Sequence, residues 1–229
     1  MSKRKTILAT GEIYHVYNRG VEKRKIFLRR REYLRFMELI SYYRFENCPV
    51  KYSYFSKMSI IEQNNILTDL EMQSKKLVEI VTYCLMPNHF HFLLRQETEN
   101  GVSKFMEKIS KGYSHYFNIS HKRVGPLFQS NFQAVRIESN EQLLHAHRYI
   151  HLNPVTAYLI ELPALASYSY SSYPEYIRVR DGFTNTKQVL SYFKNIDSYK
   201  TFIADQADYA RQLDSIKHLL YEYTPDRYS

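Results

Sequence analysis

Apolar positions fall in two rhythms along the chain. In HFHFLLR (89–95) they alternate, so in an extended strand Phe90, Phe92 and Leu94 face one way and His89 and His91 the other. LVEIVTYCLM (77–86) is almost continuously apolar, as expected of a buried strand, and Pro87-Asn88 between the two is a turn signal. GEIYHVYNRG (11–20) reads as a strand running into a turn, and FQAVRIE (132–138) as a further strand. Helical spacing predicts helices over 26–46, with Leu34, Met37, Leu39 and Ile40 inward, and over 101–118, with Phe105, Ile109, Tyr113 and Tyr116 in one stripe. A third is expected over 140–152, with Asn140 as its N-cap. Residues 47–77, holding Pro49 and then a polar Asn/Gln-rich run, are expected to be an insertion with a helix or two. Without βαβ regularity, the order favours an α+β domain: an antiparallel sheet covered by helices. TNTKQVLSYF and SYKTFIADQADYARQLDSIKHLL predict a helical C-terminal extension over 179–229, beyond a domain of 1–178.

The chain has 229 residues, and an apolar content of 44% supplies a core, but no apolar run spans a membrane. The amino terminus lacks a signal-peptide core, and Cys48 and Cys84 make neither a disulfide framework nor a metal spacing. A reducing, cytoplasmic setting is expected. Charge narrows the partner class. Of the net charge of +9, residues 1–35 carry 11 cations and 3 acids, a balance of +8. Such a cluster suits a phosphate backbone. The 22 tyrosines and 13 phenylalanines suit base stacking, although most must serve packing.

Candidate chemistry sits on the strand pair and the third helix. His89 and His91 on one face could share a metal ion, or be two partly exposed strand histidines. Stepping about 100° per residue from Leu143, Ala146, His147 and Ile150 point to the core, and His145, Tyr149 and Asn153 share a flank. Tyr149 and Asn153, one turn apart, offer a hydroxyl and an amide side by side. Tyr149 could equally be a boundary aromatic, and Asn153 before Pro154 could cap a new helix, VTAYLIE.

Four ordered blocks carry a more specific signal: YHVYNRGVEKRKIFL (14–28), YCLMPNHFHFLLR (83–95), FMEKISKGYSHYFNISHKRVGPLFQSNFQAVRI (105–137) and RYIHLNPVTAYLIELP (148–163). The chain thereby resembles the REP-associated, single-tyrosine HUH transposases of the IS200-like group. The match spans roughly 12–178, with Phe128 where a Trp is often found. The resemblance implies a ferredoxin-like or RRM-like antiparallel sheet. It also implies cleavage and rejoining of single-stranded DNA through a 5′-phosphotyrosine intermediate. His89 and His91 fall on the HUH histidines and would bind a divalent metal, Mg²⁺ or Mn²⁺. Tyr149 falls on the catalytic tyrosine, and Asn153 on a third, amide-bearing ligand position. Arg19, Lys23, Arg24, Lys25, Arg29, Arg30 and Arg31 are the expected phosphate contacts to single-stranded or hairpin DNA. His145 or His147 could assist proton transfer. The expected protein is a monomer or homodimer, nucleoid-associated in the cytoplasm and independent of membranes. One alternative is a catalytically silent hairpin-binding protein of the same fold. Another is a metal-dependent phosphodiesterase in which water attacks.

Overall fold

The computed structural model describes residues 7–129 and 131–205. The chain opens with strand β1 (Ile13–Arg19), a short basic turn, helix α1 (Arg30–Tyr43), and helices α2 (Tyr52–Phe55) and α3 (Ile60–Gln73). Strands β2 (Val78–Met86) and β3 (His89–Gln96) follow, then α4 (Gly101–Ser120), β4 (Gln133–Arg136) and α5 (Asn140–Thr156). Short helices α6 (Tyr173–Tyr176) and α7 (Lys187–Leu190) lead to α8 (Ile196–Ala204). The strands form one antiparallel sheet in the order β2-β3-β1-β4. This is the α+β arrangement expected from the sequence.

Period-two alternation gives the sheet two different faces. Tyr14, Val16, Phe90, Phe92 and Leu94 are buried in one cluster with Phe36 of α1 and Phe105, Ile109 and Tyr113 of α4. On this face Phe36 lies 5.1 Å, ring to ring, from Phe90, and Phe128 packs on Phe90 at 5.7 Å in the place where a Trp was expected. The other face presents Cys84, Met86 and Leu93 to Leu143, Ile150, Leu152 and Val155 of α5. Val189, Tyr199 and Ile203, beyond residue 178, are buried in this same second cluster.

Three local expectations are corrected. Leu34 of α1 is exposed; its buried apolar stripe is Tyr33, Phe36, Leu39 and Ile40. The cap of α5 is Ser139, whose Oγ accepts from the Gln142 N–H at 3.1 Å, leaving Asn140 inside the helix. No new helix starts at Asn153: α5 runs through Pro154 to Thr156, and VTAYLIE does not form one. A proline inside a helix costs about 3 kcal/mol. Leu152 and Val155, both fully buried here, together return about 3–6 kcal/mol by the usual side-chain transfer values, enough to hold the last turn. The second predicted C-terminal helix forms over Ile196–Ala204; its remainder, like Lys3, Arg4 and Lys5, lies outside the described residues.

Candidate active site

His89 and His91 lie on the α5 face of the sheet, where Arg19 and Tyr17 of β1 sit directly opposite them. Their rings are 5.0 Å apart and nearly perpendicular. From α5, Tyr149 brings its ring edge-on to His91 at 5.6 Å. Tyr149 is 44% exposed, whereas Asn153, one turn on, is buried. The helix thus carries Tyr149 to the edge of the histidine pair because Leu143, His147 and Ile150 bury its opposite side.

Hydrogen bonds set which imidazole nitrogen faces the site. Asn88 Nδ2 donates to the Lys23 carbonyl at 3.1 Å, which turns its Oδ1 toward His89 Nδ1 at 2.6 Å. An amide oxygen only accepts, so His89 Nδ1 carries the proton and Nε2 keeps its lone pair. Asn153 is oriented the same way: Nδ2 donates to the Tyr149 carbonyl at 3.0 Å, which leaves Oδ1 to face His89. Burial, then the Arg19 charge, lowers His89 to about 4, while a hydrogen bond to the Asn153 side chain acts in the raising direction. Burial first, then His89, His15 and Arg19, holds His91 well below its ordinary value. Both rings are therefore neutral at pH 7, the form a metal requires.

His15 was not among the sequence candidates. It lies one residue pair along β1, its Nε2 2.9 Å from His91 Nδ1 and its ring 6.2 Å from that of Tyr149. Burial lowers its pKa to about 4. No local spacing marks it, because the contact depends on the register between β1 and β3. His147, considered for proton transfer, is fully buried on the far side of α5, bonded to Thr82 and Tyr199. His145 lies on the exposed flank with Tyr149, its Nδ1 facing Arg148 Nη2 at 3.3 Å.

The basic residues divide into two groups. Arg19 ends β1 opposite His89, and the turn carrying Lys23, Arg24 and Lys25 is fastened to the Pro87-Asn88 turn. Gly20 N–H donates to the Asn88 carbonyl at 2.9 Å, and Ile26 and Phe27 N–H donate to the Pro87 carbonyl at 2.7 and 3.0 Å. A Cβ on Gly20 would stand 2.4 Å from the Arg24 carbonyl oxygen, so only glycine lets the turn close. Glu22 and Lys23 hold left-handed φ of 55° and 56°, strain that these bonds must offset. Arg29, Arg30 and Arg31 stand apart at the start of α1, all exposed, on the element that covers the opposite sheet face. They are braced by buried Glu32, which accepts from the Leu28 N–H at 2.9 Å and from Arg29 N–H, and meets His121 Nε2 at 3.0 Å.

Among the described residues no three His, Cys, Asp or Glu side chains converge as a metal-binding set. The donors present are the His89 and His91 imidazoles and the Asn153 amide oxygen, a set that fits an ion completed by substrate or water oxygens.

The site is thus an antiparallel sheet that holds a histidine pair beneath a helix-borne tyrosine. Residues 42–153, which include His89, His91, Tyr149 and Asn153, match the family model described as transposase, IS200-like. Among solved structures, a REP-associated tyrosine transposase bound to a REP hairpin superimposes with a TM-score of 0.54 at 16% identity, covering 81% of this chain and 90% of that one. It shares the fold. No curated protein matches the sequence. No helix among the described residues is long and apolar enough to cross a membrane.

Proposed function

We propose that this chain cleaves and rejoins single-stranded DNA next to a hairpin, with Tyr149 as the nucleophile. The observation that carries the reading is the approach of the half-exposed Tyr149 ring to the buried His91–His89 pair. In the cleavage step Tyr149 Oη bonds to the scissile phosphorus and the bond from phosphorus to the 3′-oxygen breaks. The products are a 5′-phosphotyrosine and a 3′-hydroxyl that takes up one proton, while Tyr149 gives one up. The reverse step rejoins strands without an external energy source, because the phosphoester is kept.

His89 and His91, with Asn153, would hold a divalent ion, Mn²⁺ or Mg²⁺. Such an ion supplies Lewis-acid stabilisation of the phosphate's negative charge. Arg19, opposite His89, adds a fixed positive charge beside the same phosphate. His145, exposed on the same α5 flank as Tyr149, would relay the tyrosine proton. Lys23, Arg24 and Lys25 extend the positive surface from the site's edge. Arg29, Arg30 and Arg31 crowd the positive end of the α1 dipole, a local repulsion that a DNA phosphate would relieve. That the structural neighbour was solved with a REP hairpin supports a hairpin stem as the occupant of this basic surface.

The test is a hairpin-bearing single-stranded oligonucleotide incubated with the protein and Mn²⁺. A protein-linked 5′ end and a 3′ end extendable by polymerase are expected. Free 5′-phosphate ends would make water the nucleophile and overturn the assignment.

A further inference from the structure

His15 is used by nothing in the reaction above, yet it touches one of its metal ligands. Its Nε2 lies 2.9 Å from His91 Nδ1, and the two rings stack at 5.1 Å and 27°. A hydrogen bond between two neutral imidazoles needs one donor and one acceptor nitrogen, so it has two possible polarities. If His15 donates, His91 must carry its proton on Nε2 and has no lone pair to give a metal. If His15 accepts, His91 is held as the Nδ1–H tautomer with Nε2 open. On His89 the same choice is made by Asn88, whose oxygen can only accept.

We infer that His15 is a positioning residue: it accepts the His91 Nδ1 proton and so fixes His91 in the tautomer and ring orientation that ligation requires. This rests on the reading of His89 and His91 as metal ligands. Ring packing supports it, because His91 is enclosed by Tyr17 at 5.7 Å, His89 at 5.0 Å, Tyr149 at 5.6 Å and His15 itself. Ligating histidines generally donate their second N–H to a carboxylate, carbonyl or water. A carboxylate here would set a negative charge beside the scissile phosphate; a neutral imidazole accepts the same proton without it. His15 is distinct from the ligands, since it forms no three-residue metal set with His89 and His91.

Long-range ¹H–¹⁵N spectra of the metal-free protein report the tautomer directly, with His91 signals assigned by their loss in His91→Gln. The wild type is expected to show His91 as Nδ1–H. His15→Phe, which keeps a ring but cannot accept, is expected to lose that preference and to bind Mn²⁺ about 10–100-fold more weakly in an electron-paramagnetic-resonance titration. His15→Gln, with a carbonyl acceptor, is expected to recover most of the loss, which a merely space-filling role would not produce. Nε2–H on His91 in the wild type overturns the inference. So does unchanged Mn²⁺ affinity in His15→Phe, or a third imidazole nitrogen on bound Mn²⁺ by spin-echo spectroscopy. Failure of the wild type to bind Mn²⁺ would instead remove the metal reading of the site, with the tautomer spectra still deciding the role of His15.

Discussion

Replacing Tyr199 by phenylalanine deletes one oxygen from the contact between α8 and the helix that carries Tyr149. That oxygen lies 2.9 Å from His147 Nε2 and 2.9 Å from His151 Nδ1, so it donates to one ring and accepts from the other. The outer nitrogens of the two rings end on Thr82 Oγ1 at 2.7 Å and Ser172 Oγ at 2.8 Å, closing a chain that joins β2, α5, the α6 entry and α8. Tyr199, His147 and His151 are all fully buried, so water cannot replace the missing hydroxyl. Each abandoned buried polar group costs about 1–3 kcal/mol, and two are abandoned, giving a loss of about 2–6 kcal/mol. For a chain of this size that is a fall in Tm of about 4–24 °C. Urea unfolding followed by circular dichroism measures it, with an unchanged m-value showing that both proteins unfold between the same states. Tyr192→Phe, on an exposed ring, is the control and should stay within about 0.5 kcal/mol. A Tyr199→Phe loss below about 0.5 kcal/mol would refute the view that this network fastens α5 from beneath.

Other outcomes follow from the same structure. Burial lowers His147 to about 3, so between roughly pH 6.5 and 3 the unfolded chain binds a proton that the folded one does not. The contribution is complete above pH 6.5 and is lost as pH falls through that window, by up to about 1.4 kcal/mol per unit; urea midpoints that stay flat from pH 7.5 to 5 would contradict this. Replacing Arg29, Arg30 and Arg31 together by glutamine should keep the protein folded and flatten the log-affinity against log-salt slope for a hairpin by about 1 per lost phosphate contact; an unchanged slope would place the DNA elsewhere. Phe90→Ala, between the two histidines but facing the opposite core, should cost about 3–5 kcal/mol with no change in Mn²⁺ affinity per folded molecule, as measured by calorimetry.

The strand pair and the helix flank were legible because each follows from a local period. Alternation in HFHFLLR separates Phe90 and Phe92 from His89 and His91, and the 3.6-residue turn separates Tyr149 from His147 and Ile150. What depended on pairing between distant segments was not legible. His15 meets His91 only through the β1–β3 register, and Asn88 reads as a turn former until the Lys23 carbonyl orients its amide. Pro154 misled for a related reason: the local preference to break the helix is outweighed by Leu152 and Val155 in a core whose other members come from β2, β3 and the C-terminal helices. His147 was placed inward correctly, but its bond to Tyr199, 52 residues on, takes it out of the reacting site.

The most direct test of the account compares the wild type with Tyr149→Phe on a 3′-end-labelled hairpin oligonucleotide in Mn²⁺, read on a denaturing protein gel. Because Tyr149 is half-exposed and its ring is retained, the variant should fold and bind the hairpin as the wild type does. A covalent protein–DNA band in the wild type, mapped by mass spectrometry to Tyr149 and absent in the variant, is the predicted result. A band of equal strength in Tyr149→Phe would contradict it.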